Sequence, residues 1–135
     1  MVSQSTARMV GKIATLIFAV VIVLQLLLAL GILPVTMAWG GRQTVLTTSL
    51  RFAHILAAFL LAGFSYVIRR RAGLSLHSPP SRLIKFLAWV ITGFLVLNTL
   101  GNLTSLSSAE RLVFGSLSSL LVIACALVSL SKTDP

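Results

Sequence analysis

Apolar residues fill this chain in four long runs, separated by short polar connections. The runs cover residues 13–33, 46–68, 83–101 and 110–130. An α-helix rises 1.5 Å per residue and the hydrocarbon core of a bilayer is about 30 Å thick, so a span needs about 20 mostly apolar residues. Each run reaches or approaches that length. The pattern predicts an all-α membrane protein: four transmembrane helices in a single domain over residues 1–135, with almost nothing outside the bilayer. The connections are short, so consecutive helices are expected to be neighbours in an antiparallel up-down-up-down bundle.

Helix punctuation agrees with these spans. Pro34 cannot continue the first helix, and Gly40-Gly41 forms a turn beyond it. Pro79-Pro80 breaks the second connection, and Ser81 is placed to cap the third helix. Ser107 stands three residues before Glu110 at the start of the fourth run, the spacing of a capping box.

Charge sets the orientation. Only 10% of the residues are charged, against about 25% in an average soluble domain. Lysine and arginine number 11 against 2 acidic residues, a net charge of +9. These cations cluster at the ends of the runs, which points to membrane topology and not to nucleic acid. Arg8, Lys12, Arg69, Arg70, Arg71, Arg82, Lys85 and Lys132 fall on one side of the membrane, and only Arg42, Arg51 and Arg111 on the other. The positive-inside rule then puts both termini and the arginine-rich connection in the cytoplasm. Arg69, Arg70, Arg71, Arg82 and Lys85 form a basic patch there, open to anionic lipid headgroups. The first run is too long for a signal-peptide core, and the chain has no lipidation signal at Val2 or at Thr133-Asp134-Pro135.

Little in the sequence carries chemistry. Cys125 is the single cysteine, so no internal disulfide or redox pair is available. No paired carboxylates, metal-ligand cluster or activated nucleophile stands out, so neither an enzyme nor a bound metal or cofactor is expected. The candidates are polar residues at the outward ends of the helices. Asn98, Gly101 and Asn102 share one helix face at i, i+3 and i+4. A carboxamide at the depth of Asn98 needs hydrogen-bond partners, so it is expected to face inward, toward Gly40-Gly41 or the serines of the fourth span. Trp39 reads as an interface anchor. Arg42 is expected to pair with Glu110 as a clasp between the two outward turns, to face a ligand, or simply to be solvated or snorkelled at the headgroups. Gln25 and His54 lie within the spans, where each is expected to bond to a neighbouring helix. Haem at His54 lacks a second ligand at the same depth, since His77 belongs to the cytoplasmic connection.

Two segments carry a resemblance. Ile32-Leu33-Pro34-Val35-Thr36-Met37-Ala38-Trp39-Gly40-Gly41-Arg42 and Leu97-Asn98-Thr99-Leu100-Gly101-Asn102-Leu103 are similar to motifs of a group of small uncharacterised bacterial four-helix membrane proteins. The first motif, Pro-Val-Thr-Met-x-Trp-Gly-Gly-Arg, follows helix one of that group, and the second, Leu-Asn-Thr-x-Gly-Asn, ends helix three. The resemblance implies an integral protein of the bacterial inner membrane, and no particular activity.

Two functions are open at this stage. Small residues recur in the second span (Ala53, Ala57, Ala58, Ala62, Gly63) and in the fourth (Gly115, Ser116, Ser118, Ser119, Ala124, Cys125, Ala126). Such residues let helix backbones approach in lipid. They suit internal packing first, and an accessory or scaffold protein that binds another membrane protein or a second copy of itself. The alternative is an oligomeric channel or transporter for small anions, with Arg42, Arg51, Asn98 and the outward serines as donors.

Overall fold

The computed structural model describes residues 1–75 and 78–132; His77 and Thr133-Asp134-Pro135 lie outside them. The chain is helical, with α1 at Gln4–Leu30, α2 at Thr48–Arg71, α3 at Arg82–Leu103 and α4 at Ser116–Ser129. A π-helical turn, Glu110–Gly115, leads directly into α4. All four helices are long and apolar enough to cross a membrane, the last one counted from Glu110 to Ser129.

Local hydrogen bonds explain where the helices start and stop. The first helix begins at Gln4 and not at residue 13, because the Ser3 hydroxyl accepts the Thr6 N–H at 3.2 Å and caps it. Arg8 and Lys12 therefore ride on its first turns. It ends at Leu30, where Gly31 turns left-handed (φ 76°) and donates its N–H to the carbonyls of Leu27 and Leu28. Gly31 thus closes α1 before Pro34 is reached. Ser81 caps α3 as its position predicts, accepting the Ile84 N–H at 3.3 Å.

Contacts at the two ends determine how the helices sit together. At one end, the terminal end, Val2 donates to the Leu130 carbonyl and accepts from the Lys132 N–H. Gln4 Nε2 reaches the carbonyl of Ala72 there, just past α2, at 3.2 Å. A Cβ on Gly11 would stand 2.5 Å from that of Ala72, so only glycine lets α1 lie against this turn. At the other end, the turn end, Arg51 Nη1 donates to the Ala29 carbonyl at 2.8 Å and ties α2 to α1. The Leu106 N–H donates to the Gly40 carbonyl and joins the first connection to the third.

Arg71 departs from expectation. It is buried, at 4% exposure, and its Nη2 donates to the carbonyls of Ser129 (2.9 Å) and Ser131 (2.7 Å). These are carbonyls at the end of α4 that lack helical partners, and a guanidinium is a suitable cap for them. Arg71 is therefore absent from the surface patch, which keeps Arg69, Arg70, Arg82 and Lys85, with Arg70 bonded to the Ser75 carbonyl.

The core runs along α1, α3 and α4 through Phe18, Leu28, Leu95, Leu121, Cys125 and Val128. By contrast, α2 buries only His54, Ala58, Ile68 and Arg71 over its 24 residues. Large apolar side chains cover the outside, among them Leu16, Phe52, Phe59, Phe86, Leu97 and Leu112.

Candidate functional site

A cleft of about 480 Å³ occupies the turn-end half of the molecule and is lined by all four helices and the first connection. Its floor is buried: Val21 of α1, and Glu110, Phe114, Ser118 and Leu121 from the π turn and α4. Its rim is exposed: Leu60 of α2, and Phe94, Asn98 and Gly101 of α3. The cleft therefore opens sideways, between α2 and α3. Below the opening the two helices meet through Phe64 and Phe94, whose rings lie edge to face at 5.4 Å.

Three residues from three elements form a hydrogen-bonded chain along one wall. The Trp39 indole N–H donates to His54 Nε2 at 3.2 Å, and His54 Nδ1 lies 2.7 Å from Gln25 Oε1. An indole can only donate, so Nε2 must be the acceptor and Nδ1 carries the proton. The imidazole is neutral in this arrangement, and the Gln25 NH₂ is left over as a free donor group. His54 is 2% exposed, so its two bonds satisfy a buried ring that would otherwise be costly inside the bundle. The chain also holds Trp39 in a left-handed conformation (φ 58°), which costs a non-glycine residue about 1–2 kcal/mol.

Glu110 anchors the turn end of the cleft. The residue is 6% exposed. Its Oε2 accepts the Gly40 N–H at 2.9 Å and the Ser105 hydroxyl, while Oε1 has no partner among the described residues. Left-handed glycines bring the first connection close enough. Gly40 has φ 72° and Gly41 φ 73°, and a Cβ on Gly41 would stand 2.8 Å from the Ser107 backbone nitrogen. The Ser107 hydroxyl accepts the Glu110 N–H at 3.2 Å, as a capping box requires. The reciprocal half is diverted: the Ser107 N–H goes to Ser105 Oγ, and the carboxylate turns to Gly40 instead.

The sequence candidates separate into two groups. Trp39, Gly40, Asn98, Gly101, Asn102, Glu110, Gln25 and His54 all line the cleft, so the two motif segments converge on it. Arg42 and Arg51 do not line it. Arg42 is exposed and makes no ion pair with Glu110, because the backbone of Gly40 reaches the carboxylate first. The first and third connections are joined through that N–H in place of the expected salt bridge. Asn102 Nδ2 donates to Ser118 Oγ at 3.3 Å. Asn98 bonds neither to the Gly40-Gly41 turn nor to the serines of α4; contrary to expectation it stands exposed on the cleft rim, with no hydrogen-bond partner among the described residues.

Two features carried no readable signal in the sequence. Ser105 is one loop serine among several until the fold sets it against Glu110. The π turn at Glu110–Gly115 has no local marker either; such turns are rare and recur at functional sites. It turns Glu110 and Phe114 toward the cleft.

The site's electrostatics are simple. Among its lining residues Glu110 is the only one with a formal charge, no lysine or arginine is present, and His54 is neutral. Carboxamides, one hydroxyl and an indole supply the other polar groups, and apolar side chains form most of the walls. No protein-family model matches the chain, and no curated protein or solved structure is significantly similar to it.

Proposed function

We propose that the chain is a multi-pass protein of the cell membrane, in bacteria the inner membrane, that acts by binding and not by catalysis. Its four helices cross the bilayer antiparallel, up-down-up-down, with both termini in the cytoplasm. The contacts that join the start of α1 to the ends of α2 and α4, and the end of α1 to the start of α2, support that order. The outer shell of exposed leucine and phenylalanine supports insertion, since a soluble monomer rarely exposes so large an apolar area. Arg69, Arg70, Arg82 and Lys85 face anionic lipid at the cytoplasmic surface.

The observation that carries the binding reading is the cleft itself. It is apolar along its walls, polar at one end, and open sideways between α2 and α3. A molecule with a polar head and an apolar body fits that distribution and enters from the bilayer without crossing water. The polar groups left without protein partners, Asn98, the Gln25 NH₂ and Glu110 Oε1, all belong to this space.

A scaffold acting through small residues has narrower support. Ala58, Gly115, Ala124 and Cys125 are buried inside the fold, so internal packing already uses them. Only Ala62 and Gly63 stay on the outside of α2, with nothing within 4 Å of a Cβ built on Gly63. They favour a partner helix on that face as the second reading. An anion pathway has no cation in the cleft to support it.

Photo-crosslinking in the native membrane tests the choice. A benzophenone amino acid in place of Leu60, on the cleft rim, is expected to capture a low-mass amphiphile that the same probe at Phe59, on the outer face, does not. Capture of a protein at position 60, or the same lipid adducts at both positions, would overturn the binding reading.

A further inference from the structure

The cleft reading leaves the nature of the ligand open, and the arrangement around Glu110 narrows it. A carboxylate inside a membrane protein is expensive unless it is hydrogen-bonded or paired. Here one oxygen is provided for twice, by Gly40 and Ser105, and the other has no donor among the described residues, in a side chain that lines the cleft. The neighbouring cations are all engaged or turned away. Arg111 Nη1 donates to the Ser105 carbonyl and its Nη2 to Ser108 Oγ; Arg51 is held by the Ala29 carbonyl; Arg42 lies exposed outside the cleft. The His54 ring cannot take the role, because both its nitrogens are committed to Trp39 and Gln25. The site therefore holds no cation for this oxygen, and the amide NH₂ groups of Gln25 and Asn98 make no bond to it, which leaves room for a charged donor from a ligand.

We infer that the cleft binds an amphiphile with a primary ammonium head, which donates to Glu110 Oε1 while its hydrocarbon body lies between Leu60, Leu61, Phe64 and Phe94. The inference rests on the cleft being a binding site. Asn98 and Asn102 offer carboxamide oxygens as further acceptors for an ammonium, and Trp39 and Phe114 offer ring faces to a cation. An anionic head meets the opposite: it would sit against the one formal negative charge with no cation to offset it. An alcohol has one donor to give and carries no charge of its own, so it gains no ion pair with the carboxylate. Two sources share the ammonium chemistry, an aminophospholipid of the bilayer and a free long-chain amine.

Trp39 reports on occupancy, since it lines the cleft. Trp89→Phe leaves it as the single tryptophan. The full chain with this substitution, in phosphatidylcholine nanodiscs, is titrated with dodecylamine, dodecanol and dodecanoate, each expressed per mole of lipid. A saturable change in Trp39 emission is expected with dodecylamine, with affinity at least about tenfold above the other two. Glu110→Gln keeps an acceptor for Gly40 and Ser105, and is expected to erase the preference for the amine over dodecanol. If that variant does not fold, the order of the three ligands on the parent chain still decides the matter. Nanodiscs of phosphatidylethanolamine separate the sources: weaker apparent amine affinity there means that the lipid ammonium already fills the cleft, and unchanged affinity means a free amine. Equal or tighter binding of dodecanol or dodecanoate would overturn the ammonium assignment and leave the cleft as a site. No response to any of the three would overturn the binding reading as well.

Discussion

Each end of the molecule buries one charge, and the two charges are handled differently. At the terminal end Arg71 is enclosed, its Nη2 fixed by the Ser129 and Ser131 carbonyls, its Nε and Nη1 buried without a partner among the described residues. At the turn end Glu110 is fixed by one oxygen and shows the other to a cleft. A buried charge that meets only packed protein is a clamp; a buried charge that keeps a free valence toward open space is a place for a ligand. The contrast separates structure from function.

Substitutions sharpen that contrast, the largest effect first. Arg71→Ala leaves two carbonyls without their donor and unties α2 from α4; thermal unfolding in detergent is expected to show a loss of about 3 kcal/mol. It should not change ligand binding by the protein that remains folded. Glu110→Ala strands the Gly40 N–H and the Ser105 hydroxyl and is expected to cost about 2 kcal/mol in the same assay, with Glu110→Gln retaining most of that stability. A loss as large with glutamine as with alanine would mean that the charge itself holds the turns together. His54→Phe breaks the chain between Trp39 and Gln25 at a cost of about 1–2 kcal/mol, and Trp39 emission should shift as its indole loses its acceptor.

Asn98→Leu should leave stability within about 0.5 kcal/mol, because the side chain makes no bond inside the protein, yet weaken binding in the cleft. A large drop in stability would return Asn98 to a structural role. Smallest of all is Arg42→Gln. Combined with Glu110→Gln its effect on stability should simply add, since the two residues do not touch.

The helices were readable because their causes are local. Apolar runs and the serines at 81 and 107 mark three of the four helices closely, whereas the polar first turns that the Ser3 cap adds to α1 leave no mark in the hydropathy. The site was half readable. Spacing put Asn98, Gly101 and Asn102 on one face, and all three line the cleft. The links between elements were not readable. Three consecutive arginines look like a topology signal, and nothing local marks the third as the one that turns inward. Complementary charge suggested Arg42 for Glu110, but left-handed backbone at Gly40 and Gly41 brings an N–H closer than any side chain. Gln25, Trp39 and His54 lie on three elements, so their hydrogen-bonded chain exists only once the helices pack.

Native mass spectrometry of the protein, extracted gently from its own membrane, tests the central claim most directly. The account predicts one low-mass amphiphile with a basic nitrogen retained per chain, and lost in both Asn98→Leu and Glu110→Gln. A chain carrying no such molecule, or a stoichiometric complex with another protein that both substitutions leave intact, would contradict it.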